Sequence, residues 1–283
     1  THTGELFCER LGVDLGGGQA GTPVRHVEAG LRSHDRLNPW PEEDFRIAID
    51  AAANLLFAPT ALNAANLRRE RVGGQTPVTG NTGIDALLGR MPAVRERALD
   101  GAPRKILVTC HRRESWGEGL ASIATCLRGM AELDDVQVNL VVHPNPLIAK
   151  EMRRLLGGHP TIQLHQPCGH VEMLHRIRDS DLVLSDSGGI QEEAPVLGVP
   201  LLVLRDRTER PEGIASGNAI LVGRDAQRIL AVVESLLSDE QAIAAMRRPT
   251  FPYGNGQAAE RIAEGVERWL YGAIHAGTPA VAA

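Results

Sequence analysis

The run Asp181–Gly213, DLVLSDSGGIQEEAPVLGVPLLVLRDRTERPEG, constrains the fold more tightly than any other stretch. Asp181–Ser185 reads as a short buried strand that stops at Asp186-Ser187-Gly188-Gly189. Ile190–Leu197 then reads as a helix whose first turn carries Gln191, Glu192 and Glu193. A second apolar strand, Pro200–Leu204, follows Gly198 and runs into the charged loop Arg205–Gly213. Polar groups thus collect where two neighbouring strands end, which is where open parallel sheets bind ligands. The unpaired N–H groups and positive dipole end of such a helix suit an anion, and a carboxylate one turn in can accept hydrogen bonds from vicinal hydroxyls. An ordinary strand-helix-strand unit, with Ser187 as N-cap and the acids complementing the dipole, has the same letters.

The same alternation runs through the rest of the chain. Val24–Val27 reads as a strand, and a helix opening near Pro41 is expected to continue to about Leu56. A further helix covers Ala61–Arg71, and Val78–Leu88 reads as a strand end, a glycine turn and a helix. Strands are then expected at Lys105–Thr109, Val138–Val142 and Ile162–Leu164, with helices at Leu120–Leu133, Leu147–Leu156 and Val171–Ile177. Asn218–Val222 and Asp225–Ser238 follow the central run, and Ala258–Ala273 forms a last helix. This pattern predicts an α/β chain with doubly wound parallel sheets. At 283 residues it has the length of two domains.

Composition narrows the function classes. Hydrophobic residues at 43% and charged ones at 23% are globular values, and 3% aromatics point to a core of Ala, Val, Leu and Ile. A formal net charge of −5 supplies no basic field for nucleic acid, so phosphate must be held by local groups. Cys8, Cys110, Cys126 and Cys168 form no CxxC pair, which argues against a disulfide framework and a zinc site. No apolar run reaches the length of a membrane helix. The expectation is a soluble cytoplasmic protein with no metal and no membrane or nucleic-acid partner.

Thr1–Leu15 has leucines at helical spacing, and Gly16–Gly21 fits the letters G-x-G-x-x-G. That fingerprint needs a strand before the glycines and a helix after them, whereas here Thr22-Pro23 leads into a strand. A loop is the better reading, and no nicotinamide cofactor is expected.

Three blocks carry candidate chemistry. HVEAGLRS places Glu28, Gly30 and Arg32 at the end of the Val24–Val27 strand. PWPEEDFR places Glu42, Glu43 and Arg46 on the first turns of the next helix. CHRRESWG places His111, Arg112 and Arg113 at the end of the Lys105–Thr109 strand, where guanidinium forks match phosphate oxygens. His143 and His170 stand at strand-to-helix junctions and suit either loop packing or ligand contact.

SDSGGIQEEAPVLGVPLLVLRDRTERPEG, HVEAGLRS with PWPEE…R, CHRRESWG and the C-terminal YGNGQAAERI together resemble the non-hydrolysing UDP-N-acetylglucosamine 2-epimerases. The resemblance covers nearly the whole chain. It implies a GT-B-like architecture of two Rossmann-like domains joined near Gly73–Val78. The expected division is 1–74 for an incomplete first domain, 75–256 for the nucleotide-binding domain, and 257–283 for a helix and tail crossing back to the first. It implies interconversion of UDP-GlcNAc and UDP-ManNAc, with the UDP-sugar as partner, no cofactor, and a homodimer.

Residue by residue, the resemblance makes Glu28 and Glu42 catalytic carboxylates and His111 the catalytic histidine. Arg46 and Arg112 fall near the phosphates, Ser187, Gly188 and Gly189 form the phosphate turn, and Glu193 binds the ribose, a role Glu192 can share. His143 and Arg210 join the UDP-binding set. Phe45 stands where the family usually has Asn, and Gly12–Gly21 is longer and richer in glycine than the family pattern. Thr1-His2-Thr3 resembles the residues that follow the family's catalytic Asp, so the expected cleft lacks that residue. A GT-B glycosyltransferase acting on a UDP-sugar, a hydrolysing epimerase, and a UDP-sugar-binding fragment without turnover are the alternatives.

Overall fold

The computed structural model describes residues 23–37, 40–90, 102–110 and 118–275. The expected N-terminal helix, the Gly16–Gly21 loop, His111 and Arg112 lie outside them. Contacts divide the described residues into two units. One runs to Leu88 and resumes at Tyr253, and the other lies between Gly89 and Pro252.

In the first unit, strands β1 (Arg25–Val27) and β2 (Leu55–Phe57) pair in parallel, Arg25 opposite Leu55 and Val27 opposite Phe57. Helix α1 (Glu42–Ala52) connects them. The expected continuation of this helix to Leu56 is corrected here: Ala53 is extended and closes α1, and Leu55-Leu56-Phe57 is a fully buried strand. Beyond β2, Thr60 caps α2 (Ala61–Arg69) by accepting the Asn63 N–H. The chain then returns beside β2, with the Leu56 N–H donating to Gln75 and the Ala58 N–H to Pro77. The segment where the sequence suggests a boundary is therefore part of this unit's sheet edge, and the change of unit falls after α3 (Thr82–Leu88). Among the described residues, one buried apolar cluster of this unit joins Ala29, Ala53, Leu56, Ala58, Ala64 and Leu67.

The second unit holds six parallel strands, β3 (Arg104–Thr109), β4 (Val136–Val141), β5 (Ile162–His165), β6 (Leu182–Ser185), β7 (Leu201–Val203) and β8 (Ala219–Leu221). Their order is β5-β4-β3-β6-β7-β8. Counted within the unit this is 3-2-1-4-5-6, the doubly wound order whose direction reverses between β3 and β6. Helices α4 (Glu118–Ala131), α5 (Pro146–Leu156) and α9 (Ala226–Ser238) cover one face, α6 (His170–Arg178) and α7 (Gly188–Leu197) the other. The strands alternate between the two cores: Ile106 and Val108 pack with Leu127 and Met130 on one side, Leu107 with Ile177 and Ile190 on the other. Two short helices had no expectation from sequence, α8 (Glu212–Ala215) and α10 (Glu240–Met246).

The last helix, α11 (Ala258–His275), belongs to the first unit. Asp85 of α3 accepts the N–H groups of Ala258 and Ala259 at 3.0 and 2.6 Å, satisfying two donors at its start. Gly265 lies so close to Phe57 that a Cβ there would sit 2.7 Å from the ring. The Arg25 guanidinium stands 5.0 Å from the Trp269 ring centre, within cation–π range.

Candidate functional site

In the first unit the candidate groups hang on the turn that leaves β1. Glu28 has φ +66°, a left-handed conformation uncommon for a residue with a Cβ. Gly30 follows at φ +83°, its N–H donating to Asp50 at 3.1 Å. Asp50 is fully buried in α1 and also takes His26 Nδ1 at 2.5 Å and the Arg32 guanidinium at 2.7 Å. Arg32 reaches on to Glu70 through two hydrogen bonds of 2.7 and 2.6 Å. Burial opposes its charge, but Glu70 and Asp50 outweigh that cost and its pKa is raised. The turn carrying Glu28 is thus pinned from beneath by a network of four charged or ionisable side chains.

Glu42 and Glu43, adjacent in sequence, do different work. Glu43 is buried, accepts the Ser33 and His34 N–H groups at 3.0 and 2.9 Å, and lies 3.4 Å from Arg46 Nη1. It ties the loop after β1 to α1. Glu42 is half-buried, and its Oε2 is enclosed without a hydrogen-bond partner among the described residues. A shielded carboxylate oxygen with no partner is a costly arrangement in a merely structural residue.

In the second unit the candidate polar groups lie at the C-terminal ends of β3 and β6, at the reversal of strand order. Thr109 and Ser185 are register partners and share a 2.7 Å hydroxyl hydrogen bond in full burial. Ser185 Oγ also accepts the Ser187 N–H at 3.0 Å, which fixes the turn into α7. Ser187 is the N-cap of α7 but makes no side-chain capping bond, so its hydroxyl is not spent on the helix. The glycines differ: a Cβ on Gly188 would meet the Arg210 guanidinium at 2.8 Å, whereas one on Gly189 would have nothing nearer than Glu193 Oε1 and Ser187 Oγ at 4.0 Å.

Arg210 is itself clamped. Its Nε donates to Glu192 at 2.5 Å and its Nη1 to buried Glu209, which also pairs with buried Arg205 at 2.9 Å. Glu193 takes His170 Nε2 at 2.6 Å. Burial raises the Glu193 pKa, the His170 contact opposes that, and the like charge of Glu192 adds to the rise. His143, half-buried after β4, accepts the Asn145 N–H on its Nδ1 at 2.9 Å and so opens α5.

The sequence-selected residues therefore fall into two described groups. Glu28, Glu42 and Arg46 share the turn and helix of the first unit. Ser187, Gly188, Gly189, Glu192, Glu193 and Arg210 gather at the head of α7, and His143 stands just after β4, which β3 separates from β6. Sequence reasoning missed His26, Asp50, Glu70, Glu209 and the His170–Glu193 pair. One signal was present for Asp50: an acid inside the apolar run IAIDAAA has to be paired. Among the described residues no three His, Cys, Asp or Glu are arranged to hold a metal, and no helix is long and apolar enough to cross a membrane.

The strand order, the glycine turn and the carboxylates at a helix head define a doubly wound α/β protein, the class whose ligands bind at the switch point. The family described as UDP-N-acetylglucosamine 2-epimerase matches residues 11–267. The Escherichia coli K12 protein named UDP-N-acetylglucosamine 2-epimerase is 42% identical over 259 residues, covering 87% of this chain and 69% of its own. The structure of S. aureus MnaA with UDP superposes with a TM-score of 0.82 at 37% identity, over 88% of this chain and 70% of that one. The Neisseria meningitidis UDP-GlcNAc 2-epimerase bound to UDP-GlcNAc gives 0.81 at 36% identity, over 87% and 70%. The chain belongs to the UDP-N-acetylglucosamine 2-epimerase family, and its two parallel α/β units have the fold class that the resemblance implied.

Proposed function

We propose that the chain interconverts UDP-GlcNAc and UDP-ManNAc. The observation that carries this reading is the head of α7: a helix start at the switch point, its glycines unencumbered on one side, with Glu193 one turn in. Relatives of the same fold have been solved with UDP and with UDP-GlcNAc.

The hydrogen on C2 of a 2-acetamido sugar is not acidic, so direct abstraction is slow. Elimination solves this: the C1–O bond breaks with its electron pair leaving on UDP, C2 loses its proton to a carboxylate, and a C1=C2 double bond forms. Return of a proton to the opposite face of C2, with a UDP oxygen re-bonding to C1, gives the epimer. The cycle is redox-neutral, and its needs are carboxylates beside the ring and cationic or dipolar groups at the departing diphosphate. The reading assigns Glu28, Glu42 and His111 to catalysis, the two carboxylates at the ring, and Arg46 and Arg112 to the departing diphosphate. Ser187, Gly188 and Gly189 take phosphate on backbone N–H groups, and Glu193, flanked by Glu192, takes the ribose hydroxyls. Arg210 and His143 complete the UDP-binding set. The left-handed backbone of Glu28 and the enclosed, unpartnered oxygen of Glu42 support the first assignment. The reading carries with it a cytoplasmic homodimer.

The test is proton and phosphorus NMR of the chain with UDP-GlcNAc in deuterated water. UDP-ManNAc carrying deuterium at C2 is the expected product. Free ManNAc with UDP would mark hydrolysis, and sugar transfer only after an acceptor is added would mark a glycosyltransferase. Shifted UDP resonances without exchange at C2 would leave a UDP-binding chain without turnover.

A further inference from the structure

We propose that His170 is a positioning residue for Glu193, so that recognition of a ribose diol at the head of α7 depends on an imidazole carried by α6. The inference deepens the nucleotide reading of that turn and rests on it. His170 is the first residue of α6, directly after its N-cap Gly169. Its Nε2 reaches across to Glu193 Oε1 at 2.6 Å and is the carboxylate's only hydrogen-bond partner among the described residues. The histidine side chain is 42% exposed and the glutamate 12%, so the pair lies at a surface a ligand can reach, with the acid on the sheltered side.

Two consequences follow from that contact. The first is orientation. Glu193 stands four residues after Gly189, on the same stripe of α7, and its Oε1 is 4.0 Å from the open position a Gly189 Cβ would occupy. Anchoring Oε1 on His170 holds the carboxylate beside the free N–H end of the helix, with Oε2 left to accept hydroxyls.

The second is charge. Burial drives Glu193 toward its protonated form and Glu192 pushes the same way, while His170 pulls it back. Glu192 is itself taken by Arg210, so that cation is spent on the neighbouring acid. A protonated carboxyl donates one hydrogen bond and is a poorer acceptor for two hydroxyls. Diol binding is therefore full above the raised Glu193 pKa and is lost as pH falls through it. Removing His170 shifts that loss to higher pH.

The experiment is calorimetric titration of the full chain with UDP and with 2′-deoxy-UDP, at several pH values from mildly alkaline to mildly acidic. Wild type, H170A, H170Q and H170F are compared. Wild type is expected to prefer UDP. H170A and H170F are expected to lose ~10-fold in UDP affinity, the effect of one charge-assisted hydrogen bond. They lose most of the preference for ribose, bind 2′-deoxy-UDP as wild type does, and release UDP at higher pH. H170Q, whose amide can donate to the same oxygen, retains the preference. A purely structural role would weaken both nucleotides alike. The inference is overturned if wild type binds the two nucleotides equally, or if H170A and H170F keep the wild-type preference; UDP binding itself would then still stand. If wild type binds no UDP, the nucleotide reading of the α7 turn fails first and the role of His170 falls with it.

Discussion

At the scale of single residues, the close approaches are more informative than the polar letters. Gly30 combines φ +83° with a position where a Cβ would lie 2.3 Å from the Asn63 carbonyl oxygen. That oxygen is helix backbone and cannot swing aside. Gly30→Ala is expected to destabilise the first unit by about 3 kcal/mol, adding overpacking to the cost of a left-handed alanine. Urea denaturation followed by a probe in that unit measures it, and a shift below half that size would mean α2 can yield. Cys126 gives a second residue-level expectation. Burial, with Asp225 nearby, pushes its thiol from 9.0 up to about 12. At pH 8 roughly one thiol in ten thousand is then thiolate, the reactive form. Among the three described cysteines, half-buried Cys110 and Cys168 should alkylate in the folded chain and Cys126 only after unfolding. Because the unfolded thiol ionises near its ordinary value, this group's contribution is complete below pH 9 and is lost as pH rises toward 12. Stability measured across that interval should fall accordingly.

At the scale of elements, the joint between β3, β6 and α7 depends on one hydroxyl. Ser185 Oγ bonds Thr109 across the switch point and receives the Ser187 N–H. Ser185→Ala strands the buried Thr109 hydroxyl and the part-buried Ser187 N–H and should cost about 1–3 kcal/mol. Thr109→Val should cost less, since Ser185 still receives the Ser187 N–H. Combined, the two should fall short of additivity, and a double-mutant cycle on denaturation midpoints reads the coupling. Additive costs would mean the hydroxyls do not act together. This joint was legible in sequence because a strand of fully buried residues ran straight into Ser-Gly-Gly and a helix. The second unit as a whole was legible for the same reason: its strands are apolar runs closed by turn residues. β2 was not. Leu55-Leu56-Phe57 is three residues long and buried on every side, so it shows no period of two and merges with the helix before it. Nor could spacing separate Glu42 from Glu43. Both open a helix, and only the positions of the Ser33 and His34 N–H groups make Glu43 the structural acid. The Asp50 network was equally hidden, because His26, Arg32 and Glu70 converge through the fold from far apart in the chain.

At the scale of the whole molecule, the chain order does not follow the division into units. The first unit is closed by a helix that arrives only after the second has been completed. α11 supplies the surface against which Phe57 packs at Gly265, and Arg261 donates to the Thr79 carbonyl at 3.0 Å. Asp85 spends its carboxylate on the first N–H groups of this helix. Among the described residues, the buried cluster beneath that cover is a handful of alanines and leucines on a two-stranded sheet, and two strands need such packing to be stable. The second unit instead has six strands with an apolar core on each face, all drawn from its own residues. Ending the chain at Gly256 should therefore act unequally. In hydrogen exchange, peptides covering β1, β2 and α2 should lose protection by several orders of magnitude, while those covering β3, β6 and α7 keep theirs. On the proposed assignment, in which the second unit binds UDP and the first supplies the carboxylates, UDP affinity should change little and epimerisation should be abolished. Equal loss of protection in both sets of peptides would mean that the two units fold as one, and that α11 stabilises the head of α7 as well as the turn after β1.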